Sequence, residues 1–225
     1  MELLYFLHFE GALTEAYVWI VYSTRPQESL ASSFEGVNLF EDALWQYDEL
    51  EASFYQVLKE KNLSWFGTLI TPQAKDDSLP LLSFNKKPYR DLILANTISV
   101  FDFRIYLLSR QCALLAKMGR IIEVGKKSTA FLGAFGRRLK DVEVGSLHKD
   151  PGLNTHIIGQ GTLPEYFVES WIYSSAMSVV DQVDAWAANT KVESSMQPTF
   201  NAGKGELLEL ARHQVSTSTA LGYVG

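Results

Sequence analysis

The chain has 225 residues, 47% hydrophobic and 20% charged, the make-up of a globular protein with a sizeable core. Its net charge of −6 argues against a nucleic-acid binder, which usually carries a basic surplus. A single cysteine, Cys112, excludes an internal disulfide and a cysteine-built zinc site, and fits a reducing compartment.

The opening MELLYFLHFEG lacks a basic lead and is interrupted by His8 and Glu10, so it does not read as a targeting signal. The apolar run 16–22 is far shorter than the roughly 18 residues that span a bilayer. Residues 3–22 read as helix. Because the chain starts inside an apolar segment, it is expected to be a piece of a longer protein. Pro26 suits the first turn of a short helix over 26–35 that Gly36 can end.

The stretch NLFEDALWQYDELEASFYQVLKEKN, 38–62, is dense in acids and aromatics. At 100° per residue, Phe40, Ala43, Tyr47, Leu50, Phe54 and Leu58 share one stripe, and Glu41, Asp42, Asp48 and Glu49 fall off it. A helix over 39–61 follows, with Asn38 and Glu41 as a capping pair. Trp45 lies opposite the stripe and, flanked by Tyr55, is a candidate contact for a preceding helix or a partner.

Between 63 and 97 the helical period is lost, and Pro72, Pro80 and Pro88 mark an irregular or small β excursion, with short strands expected around 66–71 and 80–84. Helix returns from Ser99 to about Met118, ended by Gly119, and again over about 121–142. A Gly-rich connection leads to a helix over 164–189. A polar linker then reaches Gly205 before a last helix over about 206–220. The fold class is therefore all-α, built from antiparallel helix hairpins as an α-solenoid-like segment, one unit across 1–225. Phe40, Ala43, Tyr47 and Leu50 echo a tetratricopeptide helix, but no second copy appears at that period.

Little here suggests chemistry. The acids of 41–51 scatter over a solvated face. Residues 119–129 imitate a phosphate loop with the wrong glycine spacing and no preceding strand. Gly125, Thr129 and Gly133 read instead as a face where a neighbouring helix approaches closely. His8, His148, His156 and His213 lack metal-ligand spacing, and Cys112 reads as a buried thiol. No catalytic, cofactor-binding or metal residue is assigned.

Charge is segregated. Residues 28–60 carry eight acids against Lys59, whereas 117–140 carry seven bases against Glu123. Either the two faces steer helix packing, or they are docking surfaces, the basic one through Lys126, Lys127, Arg137 and Arg138, for proteins or an anionic membrane.

Two strings carry a family resemblance: EDALWQYDELEASF at 41–54 and RIYLLSRQC at 104–112. With the sequence between and around them, residues 28–140 resemble the large TRAPP II-specific subunit, the trafficking protein particle subunit ten family, in a fungal version. The resemblance implies a helical solenoid segment of a longer subunit, working with the other subunits of a complex that activates Rab GTPases by nucleotide exchange and tethers vesicles. It implies a cytoplasmic location, peripheral at the Golgi and trans-Golgi network, with any Rab contact indirect and no catalytic residue in this segment. The competing expectation is an independent helical regulatory or small-ligand-binding domain, or an enzyme domain.

Overall fold

The computed structural model describes residues 25–60, 80–95, 98–147, 166–190 and 192–221. Among them are seven α-helices and no strand: α1 (Arg25–Gly36), α2 (Phe40–Glu60), α3 (Tyr89–Ala95), α4 (Val100–Lys117), α5 (Ile121–Leu147), α6 (Phe167–Thr190) and α7 (Gln197–Leu221). The expected all-α class holds. The helix expected over 3–22, the strand around 66–71 and the histidine pair at 148 and 156 lie outside the described residues.

Helix α4 is the axis of the fold. Thirteen of its residues are buried, from Val100 to Leu115, so it has almost no polar face. A helix that is apolar nearly all round needs cover on every side. Here α2 packs on one flank and α5 on another, and α5 in turn packs against α6 and α7. The first turns of α4 and α6 meet through Phe101, whose ring centroid lies 5.5 Å from that of Trp171 and 6.2 Å from that of Phe167. Ser99 starts α4 by accepting the Asp102 N–H at 3.0 Å and donating its hydroxyl to the Asp102 carboxylate at 3.0 Å.

The hairpins α1–α2 and α4–α5 are closed by the same three-residue device. Asn38 and Gly119 each adopt positive φ, 63° and 76°. In the first turn, Leu39 N–H donates to Phe34 C=O (2.9 Å) and Asn38 N–H to Glu35 C=O (3.1 Å). In the second, Arg120 N–H donates to Leu115 C=O (2.9 Å) and Gly119 N–H to Ala116 C=O (3.0 Å). This is the left-handed exit that glycine and asparagine tolerate best. Asn38 therefore ends α1 rather than capping α2, and Gly36 is simply the last helical residue before it. A helix N-cap needs extended backbone, which a φ of 63° does not provide.

Three further expectations are corrected. Residues 80–84 form turns rather than a strand, although Leu81 and Leu82 are fully buried, and Leu81 N–H donates to Ser178 Oγ on α6 at 3.1 Å. A short helix, α3, follows directly after Pro88. The region 197–205 is the start of α7 rather than a linker, because Phe200 and Leu207 reach the core and their burial outweighs two helix-weakening glycines. The close helix approach is at Gly136, not at Gly125 or Gly133. A Cβ on Gly136 would stand 2.5 Å from Ile172 Cδ1 and 3.1 Å from its Cγ1, whereas one on Gly125 would meet nothing.

Gly136→Ala should change stability little, since the alanine helix gain of about 1 kcal/mol offsets a push on one movable methyl. Gly136→Val is expected to destabilise by about 1–3 kcal/mol in urea unfolding, because a second branch meets the Ile172 stem. Equal, negligible effects would mean that α5 and α6 are not in contact here.

Candidate interaction surface

The apolar stripe of α2 faces inward as its period requires: Ala43, Tyr47, Leu50 and Phe54 are all at most 1% exposed. To one side of that stripe lie Asp48, Glu51 and Tyr55, and these meet α4 and α5. Gln111 Nε2 donates to Asp48 Oδ1 (2.8 Å) and Glu51 Oε2 (2.9 Å). Lys127 on α5 reaches the same two carboxylates at 3.2 and 3.6 Å. Burial pulls the Lys127 ammonium pKa down, but Glu51 and Asp48 outweigh it and raise the value.

The seam continues in both directions. Glu35 of α1 takes Arg110 and Lys117, the latter at 2.7 Å, while Glu41 accepts from Arg120 at 3.2 Å. Farther along, Tyr55 bonds to Arg104, whose guanidinium carbon lies 4.4 Å from the Phe135 ring centroid, 4.8 Å from Tyr55 and 5.3 Å from Phe131. Burial depresses the Arg104 pKa, and Tyr55 and Glu51 act against it. At the α1 end, Glu28 is fully buried and accepts the Tyr106 hydroxyl at 2.7 Å and Arg90 Nε at 3.3 Å.

Four of the seven cations of 117–140 thus meet acids of other helices inside the chain. Each exposed pair is worth only about 0–1 kcal/mol, so the seam sets which helix faces which more than how stable the fold is. The strings 41–54 and 104–112 are the two sides of this seam. Sequence reasoning missed the inward roles of Glu28, Arg104 and Gln111, since a charged or amide residue in isolation reads as surface. The signal was available in the sequence of α4, whose polar strip of Asp102, Arg110 and Lys117 lies on the side away from Arg104.

The sequence-derived contact residues separate accordingly. Lys127 and Tyr55 are engaged within the chain, although Tyr55 stays 39% exposed. Trp45 is 62% exposed, on the face of α2 opposite the stripe, with Glu49 also exposed. Lys126, Arg137 and Arg138 are exposed on α5, and an open groove runs along Ala134, Arg137, Arg138 and Lys140.

Cys112 is fully buried as expected, its sulfur 3.7 Å from Ser128 Oγ, and burial pushes its thiol up to about 12. Iodoacetamide at pH 8 should therefore leave it unmodified in the folded chain and alkylate it promptly in denaturant. Equal rates in both would place the thiol at the surface.

Among the described residues no group of three His, Cys, Asp or Glu side chains could hold a metal ion, and no helix is long and apolar enough to cross a membrane. A small apolar cleft between α5, α6 and α7, bordered by Ile121, Val183, Phe200 and Leu207, holds about 10 Å³, room for no more than a water.

No family model and no solved structure matches the chain. Curated proteins do. It is 32% identical over 158 residues to trafficking protein particle complex subunit 10 of Dictyostelium discoideum, spanning 68% of this chain and 10% of that protein. It is 27% identical over 190 residues to the trafficking protein particle complex II-specific subunit 130 homolog of Arabidopsis thaliana, spanning 83% and 13%. Against the Homo sapiens subunit 10 the identity is 28% over 177 residues, 77% and 13%. The chain thus corresponds to about a tenth of the length of these relatives. With most of its residues aligned to proteins of one kind, the chain is a sequence relative of the trafficking protein particle complex subunit 10 family, matching it over a single segment.

Proposed function

We propose that the chain is a structural and protein-interaction segment of a subunit of the TRAPP II complex, which acts in vesicle traffic by Rab nucleotide exchange and tethering at the Golgi and trans-Golgi network. The observation that carries this reading is the alignment to proteins named as subunits of that complex over 68–83% of the chain. The fold supports it. Among the described residues, buried polar side chains join helices, Glu28 to Tyr106 and Gln111 to Asp48 and Glu51 among them. In this reading the segment holds subunits in place from the cytoplasmic side, contributes no catalytic residue, and reaches a Rab GTPase only through its neighbours.

The test is retention of the purified remaining TRAPP II subunits on the immobilised chain. One or more subunits held through a high-salt wash is expected. Retention of none would sink the reading.

Trp45 is the side chain on which a protein contact is expected to lean. Being largely exposed, it should cost the isolated chain no more than about 0.5 kcal/mol of stability when changed to alanine. The same change in the full subunit is expected to weaken assembly by at least about 2 kcal/mol, and Glu49→Ala on the same face to do little. Equal and negligible losses in quantitative co-purification would return that face to solvent.

A further inference from the structure

Seven cations lie between residues 117 and 140, and the structure sorts them into two sets. Lys117, Arg120, Lys127 and Lys140 each meet a carboxylate on another helix: Glu35, Glu41, Asp48 with Glu51, and Glu169. Lys126, Arg137 and Arg138 form no ion pair with another helix among the described residues, though Lys126 helps to lower the carboxyl pKa of Glu123 on its own helix. On the helix, Lys126, Ala130, Gly133 and Arg137 fall within about 60° of one another, and the two charges are three turns apart, about 16 Å. Between them the surface is small: a Cβ on Gly133 would touch only Arg137 Nη1, at 3.7 Å, and Ala130 and Ala134 are exposed.

We propose that this face of α5 docks an acidic helix of a partner protein, one with carboxylates along a single side. Charge complementarity identifies the occupant. On a chain of net charge −6, this is a basic island, and every other cation of the same stretch is matched by an acid from a packed helix. The small floor lets a second helix axis come within about 8–10 Å, and the guanidinium forks suit carboxylates that approach so closely. A lipid surface fits less well. The exposed large hydrophobic residues include none between 118 and 140, so the face lacks the apolar wedge with which interfacial helices enter a bilayer. The inference rests on the subunit reading only in taking the occupant to be a protein.

The test uses the full chain at low ionic strength and fluorescence anisotropy. Its probes are a labelled alanine-based helical peptide with glutamates along one side, and a peptide of equal composition with glutamates spread around the helix. Tighter binding of the one-sided peptide is expected, lost by at least about tenfold in Arg137→Glu/Arg138→Glu and weakened steeply by salt. Arg212→Glu on α7, a single reversal elsewhere, should change it by less than about twofold, and Arg137→Glu alone by more than that. Circular dichroism checks each variant, and Arg137→Gln/Arg138→Gln repeats the test if reversal disturbs the helix. No binding, equal affinity for both peptides, or equal loss with Arg212→Glu would overturn the proposal. So would charge-dependent binding to phosphatidylserine vesicles with none to the peptide, which would make this a lipid face. Failure here with subunits still retained on the immobilised chain removes the docking face alone; the opposite result removes the subunit reading.

Discussion

Trp171→Ala is expected to destabilise the chain by about 3–5 kcal/mol, the range for deleting a large aromatic from a packed core. The side chain is 1% exposed and sits where three helices meet. Its ring lies 5.5 Å from Phe135 of α5, edge-on at 78°, and 5.5 Å from Phe101 of α4. Such pairs add about 0.5–1.5 kcal/mol beyond burial, and the cavity left by alanine would be walled by rings that cannot collapse into it. Urea unfolding followed by circular dichroism measures the loss. A change below about 1 kcal/mol would mean that α6 does not close over α4 and α5 as described.

Glu28→Ala is expected to cost about 2–3 kcal/mol, a loss out of proportion to the size of α1. The carboxylate is fully buried, and it is the acceptor for Tyr106, deep in α4. Burial drives the Tyr106 phenol well above its usual pKa, with Tyr47 and Glu28 adding to the rise, so the hydroxyl stays protonated and needs an acceptor. Alanine would leave that buried donor only the Tyr47 hydroxyl, which already accepts from Arg110. Arg90 contributes less, because its side chain is 53% exposed and can return to water. Glu28→Gln, which still accepts from Tyr106, should recover about half of the loss. If alanine and glutamine are equally harmless in the same urea titration, α1 is not anchored through this residue.

The inward stripe of α2 was legible because a 3.6-residue period needs no knowledge of the partner. The fate of the charges was not. Acidic 28–60 and basic 117–140 announce that something is sorted, but Lys127 meets Asp48 only once α4 and α5 fold back across about eighty residues. Local chemistry also misled where tertiary packing wins. The polar stretch up to Gly205 reads as a linker, yet burial of Phe200 and Leu207 carries α7 through its last part. Asn38 reads as the cap that begins a helix, and its backbone angle makes it the end of the one before. Nothing local marks Gly136 out from Gly125 and Gly133; Ile172 opposite it does. The family relation was legible in the strings 41–54 and 104–112. Their facing one another across one seam became visible only in three dimensions.

The claim that this segment holds neighbours in a complex is tested most directly by deleting residues 25–221 from the full-length parent subunit. The complex is then isolated through a tag on that subunit, and the co-purifying subunits are quantified. At least one neighbour is expected to fall by more than about tenfold while the remainder of the complex stays together. An unchanged complement of subunits, at unchanged stoichiometry, would contradict the account.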